Sequence, residues 1–407
     1  MSDKQASLTK TYAQAWREYL DALEACRATV EANSVSADPK VRAAALFLPT
    51  QMQAGAFYMQ LAPHMGYPLL NRTHVGEPIG MSWGLPNPDF DYRWTYLDGK
   101  RRYRIYGPRK SEAAFFDLIA FNGYFIDNVK TYFQGSLNGF DGPDGGIELF
   151  LGPPSKGPNH IDLDPTEPHN VLTLREALED WNEQQPTPLR IECVDPPETL
   201  GPFVYPEADL VARLERATTL LRNTPQRTML FHQSVLEGTQ GKENTFLLRV
   251  TGEDRRKNNA HPGHIGCNAI YNIRRGQSLI IESGMPKTAV YWGIQLGDMW
   301  WRTTDFIWHQ SSLNRRNAHF GPDGVFRAVL SFEDPGIQNW LDPVDLERGV
   351  LSIRYYMASD TPLPKTRLVP SAQLRQHLPS DIPIFTPDQR RAQIARRADG
   401  ALRRFGY

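Results

Sequence analysis

From about residue 78 onward, turn-forming residues cut the chain into short apolar runs, and this limits its possible folds more than any other feature. Proline and glycine number 32 and 31 in 407 residues. They cluster between runs such as DYRWTYL (91–97), RRYRIYG (101–107), FFDLIAFNGYF, GIELFLG, HNVLTL and LRIECVD (189–195). The pattern resumes later in CNAIYNI, QSLIIESG, TAVYWGIQLG, VFRAVLSFE and GVLSIRYYM. Short runs rich in aromatic and β-branched residues, bounded by Gly, Pro, Asn and Asp, read as strands. Helix-length patterns do not alternate with them, which disfavours βαβ units. The expected class is α+β, mostly β, with two antiparallel β-sandwich or jelly-roll-like domains. Asp98-Gly99, between the first two runs, predicts a β-hairpin.

Helical spacing frames these regions. Trp16, Leu20, Leu23 and Cys26 follow the spacing of a one-sided helix. A second helix starts at Asp38 with Pro39 in its first turn, and Pro49 is expected to kink or break it. After Pro206, PEADLVARLERATTLLRN puts Leu210, Leu214, Ala217 and Leu221 on one face and reads as a connecting helix. GKENTFLLRVTGEDRRKNN reads as a polar loop. The tail forms a C-terminal helix with Thr386 as N-cap and Pro387 following. The expected organisation is a helical segment (1–75), a first β-domain (76–204), a connecting helix (205–240), a second β-domain (241–360) and a C-terminal extension (361–407). The tail's six arginines (390, 391, 396, 397, 403, 404) read as a solvated face or a subunit dock, with Ile394, Ala398, Leu402 and Phe405 as the buried side. A homo-oligomer is therefore an expectation.

The charge balance, 45 basic against 46 acidic residues, argues against nucleic-acid or membrane-surface partners held by bulk electrostatics. Cys26, Cys193 and Cys267 are widely spaced and form no CxxC pair, which favours a reducing compartment. The first residues lack the apolar core of a secretory signal, and no run approaches the roughly 20 apolar residues of a membrane helix. A cytoplasmic protein is the expectation.

The stretch from Tyr291 to Asp342 carries the candidate site. Trp292, Trp300, Trp301, Trp308 and Trp340 alternate there with Gln295, Asp298, Arg302, Asp305, His309, Asn314 and Asn339. Aromatic walls with a few convergent polar groups are the composition of a small-molecule pocket, and equally of a tryptophan-rich core with polar turns. Asp305 and His309, four apart, suggest a carboxylate-oriented general base. Arg302 would hold negative charge. Tyr291, Gln295, Trp300, Trp301, Trp308, Asn314, Asn339 and Trp340 would line the pocket. Ser311 and Ser312 beside His309 suggest a nucleophile, but the chain has no GxSxG elbow. His261, His264 and Cys267 have a spacing zinc accepts, without an evident fourth ligand. Walker A, Rossmann, HExxH and haem CxxCH patterns are absent, so no cofactor is expected.

SLN at 312–314, then PDGVFRAV, then EDPGIQNWLD, followed by Gly349 and a strand ending in RYY, resembles the bacterial family called domain of unknown function 1214, often found with domain of unknown function 1254. SLIIESGMPKTAVYWGIQLGDMW is similar to the strand pair that precedes the motif in that family. NPDFDYRWTYLDGKRRYRIYG resembles the N-terminal hairpin of longer members, and LVPSAQLRQHLPSDIPIFTPDQRRAQIARR resembles their tail. The likeness covers most of the chain from about residue 78. It implies two β-sandwich-like domains with helical additions, and an architecture rather than an activity. Members commonly follow SLN with a glutamine-alanine pair; Asn317-Ala318 stands near that place here.

These readings point to a cofactor-independent enzyme acting by acid–base chemistry (hydrolysis, elimination or isomerisation) on a hydrophobic, aromatic or terpenoid-like molecule. A non-catalytic binding protein for such a molecule, or an assembly subunit, is the alternative.

Overall fold

The computed structural model describes residues 10–72, 84–109, 113–122, 130–167, 169–196, 205–249 and 263–406. The first β-domain contains β1 (Asn71–Arg72), β2 (Phe90–Leu97), β3 (Tyr103–Gly107), β4 (Phe116–Asn122), β5 (Thr131–Ser136), β6 (Ile147–Gly152), β7 (His160–Asp162), β8 (Asn170–Ala177) and β9 (Arg190–Cys193). The second contains β10 (Leu247–Arg249), β11 (His264–Asn272), β12 (Gln277–Ser283), β13 (Tyr291–Gly297), β14 (Ser312–Asn314), β15 (Phe326–Leu330), β16 (Trp340–Leu341), β17 (Arg348–Tyr356) and β18 (Lys365–Pro370).

Strand burial explains how these layers stack. In β6, buried Ile147, Leu149 and Leu151 alternate with half-buried Glu148 and Phe150, so one face points inward. In β4 and β8 nearly every residue is buried, the mark of a strand covered on both faces. Leu118, Ala120, Leu172 and Leu174 fill the sandwich core of the first domain. Their neighbours Ile119, Phe121 and Val171 face a helical layer instead. That layer is built from α1 (Tyr12–Ala32), α2 (Pro39–Ala56) and α3 (Glu207–Gly238). It also packs on Ile270 and Val350 of the second domain, so one apolar cluster joins the helices to both five-stranded sheets.

The second domain repeats the first strand for strand. The sheets run β1-β2-β8-β4-β5 and β7-β6-β3-β9 in the first, β10-β11-β17-β13-β14 and β16-β15-β12-β18 in the second. Adding nine to every strand number of one domain gives the other. The parallel pairs correspond too, β6 with β7 and β15 with β16. The turn before β6, Gly142-Pro143-Asp144-Gly145, recurs before β15 as Gly321-Pro322-Asp323-Gly324. Gly145 and Gly324 stand at φ 75° and 73°, in the left-handed region where a side chain is costly.

Several expectations need correction. Asp98-Gly99 does not close a hairpin: β2 pairs with β1 and β8, and β3 with β6 and β9, so the turn carries the chain from one sheet to the facing one. Pro49 does not break α2, because its packed face continues through the lost hydrogen bond. Trp16 and Leu20 lie on the exposed side of α1, whose buried face is Ala15, Tyr19, Ala22, Cys26 and Val30. Leu247–Arg249, read as loop, pairs with β11.

After α2 a π-helical segment, Phe57–Leu61, ends the helical layer. Its last carbonyls lack intrahelical partners and are met by side chains. Arg213 Nη1 donates to Leu61 O at 2.6 Å and also to Pro63 O. Arg216 Nη1 donates to His169 Nε2 at 2.8 Å, so His169 must be neutral to accept. Burial first, and the Arg216 charge second, push its pKa down to about 4. The unfolded imidazole titrates near ~6.5. Native stability is therefore fully present above that value and falls as pH drops toward 4, where the unfolded chain alone takes up the proton. Urea titrations of wild type and His169→Gln across this window should differ in slope, with wild type losing up to about 3 kcal/mol more. Parallel pH profiles would reject the assignment.

Candidate functional site

The segment Gly84–Asp89, GLPNPD, enters β2 along the seam between the two β-domains. Pro86 and Pro88 have no N–H, so the segment presents carbonyls that cannot join a ladder and need side-chain donors. Pro86 O accepts from Gln295 Nε2 at 2.8 Å and Thr303 Oγ1 at 2.6 Å. Leu85 O accepts from Arg354, and Pro88 O from Arg404. Leu85 N donates to Trp301 O at 2.6 Å, and both residues hold positive φ, 56° and 58°. Holding two such backbones costs about 1–3 kcal/mol each, which the surrounding bonds must offset.

Asp89 ends the segment and is 3% exposed. Its carboxylate accepts from Tyr291 Oη (2.6 Å), Asn314 Nδ2 (2.9 Å) and Trp181 Nε1 (2.9 Å). Asn87 Nδ2 donates to the Tyr291 oxygen at 2.9 Å. Burial raises the Asp89 pKa, opposed by the Tyr291 and Asn314 bonds and by the Arg404 and Arg397 charges. Burial, with Asp89 alongside, drives Tyr291 well above its usual range. Tyr291, Gln295 and Asn314, expected to bind substrate, thus tie the second domain to the first.

The other predicted residues are dispersed. Trp300 and Trp301 do not wall a hollow; they are buried in the cluster shared with the helices, and Trp301 packs on Phe231 at 5.7 Å. Arg302 is buried against Asp298 and donates to Gln51 Oε1 at 2.8 Å, so its charge is already matched. Asn339 bonds the backbones of His319 and Arg327, a turn role. Trp340 Nε1 donates to Ser331 O at 2.8 Å, under the Arg390 guanidinium. Trp308 is 48% exposed.

Asp305 does not hold His309. It caps the backbone N–H groups of Ile307 and Trp308 (2.8 and 3.1 Å), as a short acid beginning a turn does. His309 Nδ1 instead meets Asp342 Oδ2 at 2.7 Å, and that bond raises the histidine pKa. His264 and Cys267 lie an odd number of residues apart on β11, so their side chains leave opposite faces of the sheet. His264 stacks on Tyr356 at 4.6 Å, and Cys267 is a buried thiol pushed up to about 12 by burial. His261 lies outside the described residues, among which no group of three or more His, Cys, Asp or Glu could hold a metal.

On the C-terminal helix, α4 (Pro387–Phe405), Ala398, Leu402 and Phe405 pack inward as expected, but the burial of three arginines was not expected. Thr386 and Gln389 form its capping box. Its inward residues include Arg390, Arg397 and Arg404, spaced by seven and so by two turns, beside Gly400 and Ala401. Arg390 binds Asp334 at 2.9 Å and Gln310 Oε1 at 3.0 Å. Arg397 donates to Phe306 O and to the carbonyl and hydroxyl of Ser312, and lies 4.3 Å over the Trp181 ring. Burial lowers its pKa to about 10, with Asp89 opposing. A Cβ on Gly400 would come within 2.9 Å of the Trp181 backbone, so the helix sits there only because 400 is glycine. The i, i+7 arginine spacing was the signal available in the sequence.

Where α4 crosses the seam it roofs a cleft of about 200 Å³. The first domain contributes Glu179, Asp180, Trp181 and Asn182, the second Gln310, Arg316 and Asn317, and the helix Gln393, Arg396 and Arg397. All three walls come from loops and the helix rather than from the strands of the two sandwiches.

No protein-family model matches the chain, and no curated protein matches it. Among solved structures, it is similar to an uncharacterized protein from Burkholderia cenocepacia, with TM-score 0.76 and 21% identity over 88% of this chain and 98% of that one. A protein from Vibrio parahaemolyticus aligns with TM-score 0.43 and 10% identity over 85% of this chain and 100% of that one. The Burkholderia likeness shows a shared fold, mostly β with helical additions.

Asp89→Ala should leave Trp181 Nε1 and one Asn314 N–H without an acceptor, with Tyr291 keeping only Asn87 Oδ1, and cost about 3–5 kcal/mol. Calorimetry should also resolve separate transitions for the two β-domains. A single transition near the wild-type Tm would contradict the role assigned to Asp89.

Proposed function

We propose that the chain binds a small polar molecule in the cleft between its two β-domains, beneath α4. The observation that carries this reading is the roughly 200 Å³ hollow lined by both domains and the helix. Domain interfaces are a preferred place for such sites. Its lining side chains, mostly charged or amide, suit a hydrophilic ligand, whereas the hydrophobic, terpenoid-like substrate rested on indoles of which Trp300 and Trp301 are packed into the core. We also propose membership of the domain of unknown function 1214 family, supported by the position of its SLN motif: 312–314 forms β14, beside the cleft. A cytoplasmic location is proposed on the three free cysteines. Among the described residues, no helix is long and apolar enough to cross a membrane.

A fragment screen by thermal shift tests the binding reading. Ligands should raise the wild-type Tm by several degrees and have no effect on Asn182→Trp, whose indole would fill the cleft. Equal shifts in both proteins, or no hits, would discard it.

A second reading, acid–base catalysis, is favoured by the His309–Asp342 pair, because a carboxylate at 2.7 Å orients an imidazole and raises its basicity. His309 adjoins Gln310, a cleft residue. As a base His309 must be neutral, so turnover should climb as pH rises through its elevated pKa. His309→Ala should abolish turnover and keep ligand binding; unchanged turnover would eliminate catalysis by this pair.

A further inference from the structure

We infer that the cleft is selective for anions, taking a small molecule through a carboxylate or phosphate group held between Arg316 and Arg396. The inference rests on the binding reading above and names the ligand class for that site. Its basis is which charges at the cleft are already matched. Glu179 Oε2 accepts from both Arg315 Nε and Nη2, at 2.9 and 2.7 Å, from outside the cleft. Asp180 Oδ1 accepts from the backbone N–H groups of Asn182 (3.0 Å) and Glu183 (3.3 Å). Glu179 is therefore ion-paired, and Asp180 is held by backbone N–H groups with no cation paired to it among the described residues. On the basic side, Arg397 is committed to the Phe306 and Ser312 oxygens.

The remaining two guanidiniums are different. Arg316 makes no ion pair among the described residues; its nearby acid, Glu179, is held by Arg315. Arg396 reaches only Glu183 at 3.9 Å, with both side chains largely exposed, a pairing worth little in water. Each can turn a planar fork of donors toward a ligand, the geometry that suits carboxylate and phosphate oxygens. Asn182, Asn317 and Gln393 add amides at the walls. The cleft volume suits a compact molecule rather than a polymer.

Isothermal titration with malate, inorganic phosphate, glycerol 3-phosphate and uncharged glycerol tests this. The anions should bind at least about tenfold more tightly than glycerol, and more weakly as salt rises from about 50 to about 300 mM. Arg316→Gln and Arg396→Gln should each weaken binding about tenfold with Tm unchanged, since both side chains are exposed. Arg316→Lys should restore part of the loss. Tighter malate binding assigns the anion to a carboxylate, tighter phosphate or phosphate-ester binding to a phosphate. Glycerol binding as well as the anions, blocked by Asn182→Trp and untouched by the arginine variants, overturns anion selectivity while leaving the cleft a binding site. Anion binding that ignores both arginine variants overturns it as well. No binding by any probe overturns it too, and a fragment screen that also fails removes the underlying site.

Discussion

The Asp89 carboxylate is the point on which the arrangement of the two β-domains depends. It takes Trp181 from the first domain, and Tyr291 and Asn314 from the second. A buried anion is costly to desolvate, and replacing such a group by packed apolar residues is often neutral or stabilising. What it contributes instead is geometry. Three donors converge at 2.6–2.9 Å, and a shift of either domain by an ångström would strand at least one of them in a buried site. Two sandwiches packed by apolar contact alone would tolerate many relative orientations.

The same logic explains why a helix rich in arginine turns its arginines inward. The seam exposes backbone carbonyls that need side-chain donors: the second domain meets those of Leu85 and Pro86, and Pro88, Phe306, Ser312 and Ile337 are left for α4. A guanidinium carries five donors and no acceptor, so one side chain can satisfy several carbonyls at once. Arg404, Arg397 and Arg390 do this along α4, and the Trp181 ring under two of them replaces part of their lost hydration. Apolar residues in their place would leave those carbonyls unpaired.

Strands were legible in the sequence because their period and punctuation are local. Their pairing was not, since the same Asp-Gly turn serves a hairpin or a crossing between facing sheets, and only the partners β6, β8 and β9 decide. The aromatic-polar stretch reads equally as a pocket or as a tryptophan-rich core with polar turns, and local sequence does not decide between them. Tyr291, Gln295 and Asn314 converge, but on a proline-rich segment some 200 residues earlier in the chain rather than on a ligand. Asp305 and His309 stand four apart, yet neither helix nor strand forms between them, so spacing gave the wrong carboxylate. Two signals of the repeat were in plain view: the PDG turn before β6 and β15, and the TPL triplet before β9 and β18.

Because the domains share one topology, their differences locate what the repeat alone does not require. β5 and β14 are equivalent edge strands. β5 stays half-buried to exposed along its length, whereas β14 is buried throughout. The difference comes from α4, whose Arg397 takes the Ser312 carbonyl and hydroxyl and covers the edge. Protecting an edge strand needs only a charge or a short loop. A capped helix of 19 residues, with a glycine cut to fit Trp181, is more than protection demands. What the extra length does is reach both domains and close the third wall of the cleft. The repeat gives the molecule its scaffold, and the departure from the repeat gives it a hollow at the seam.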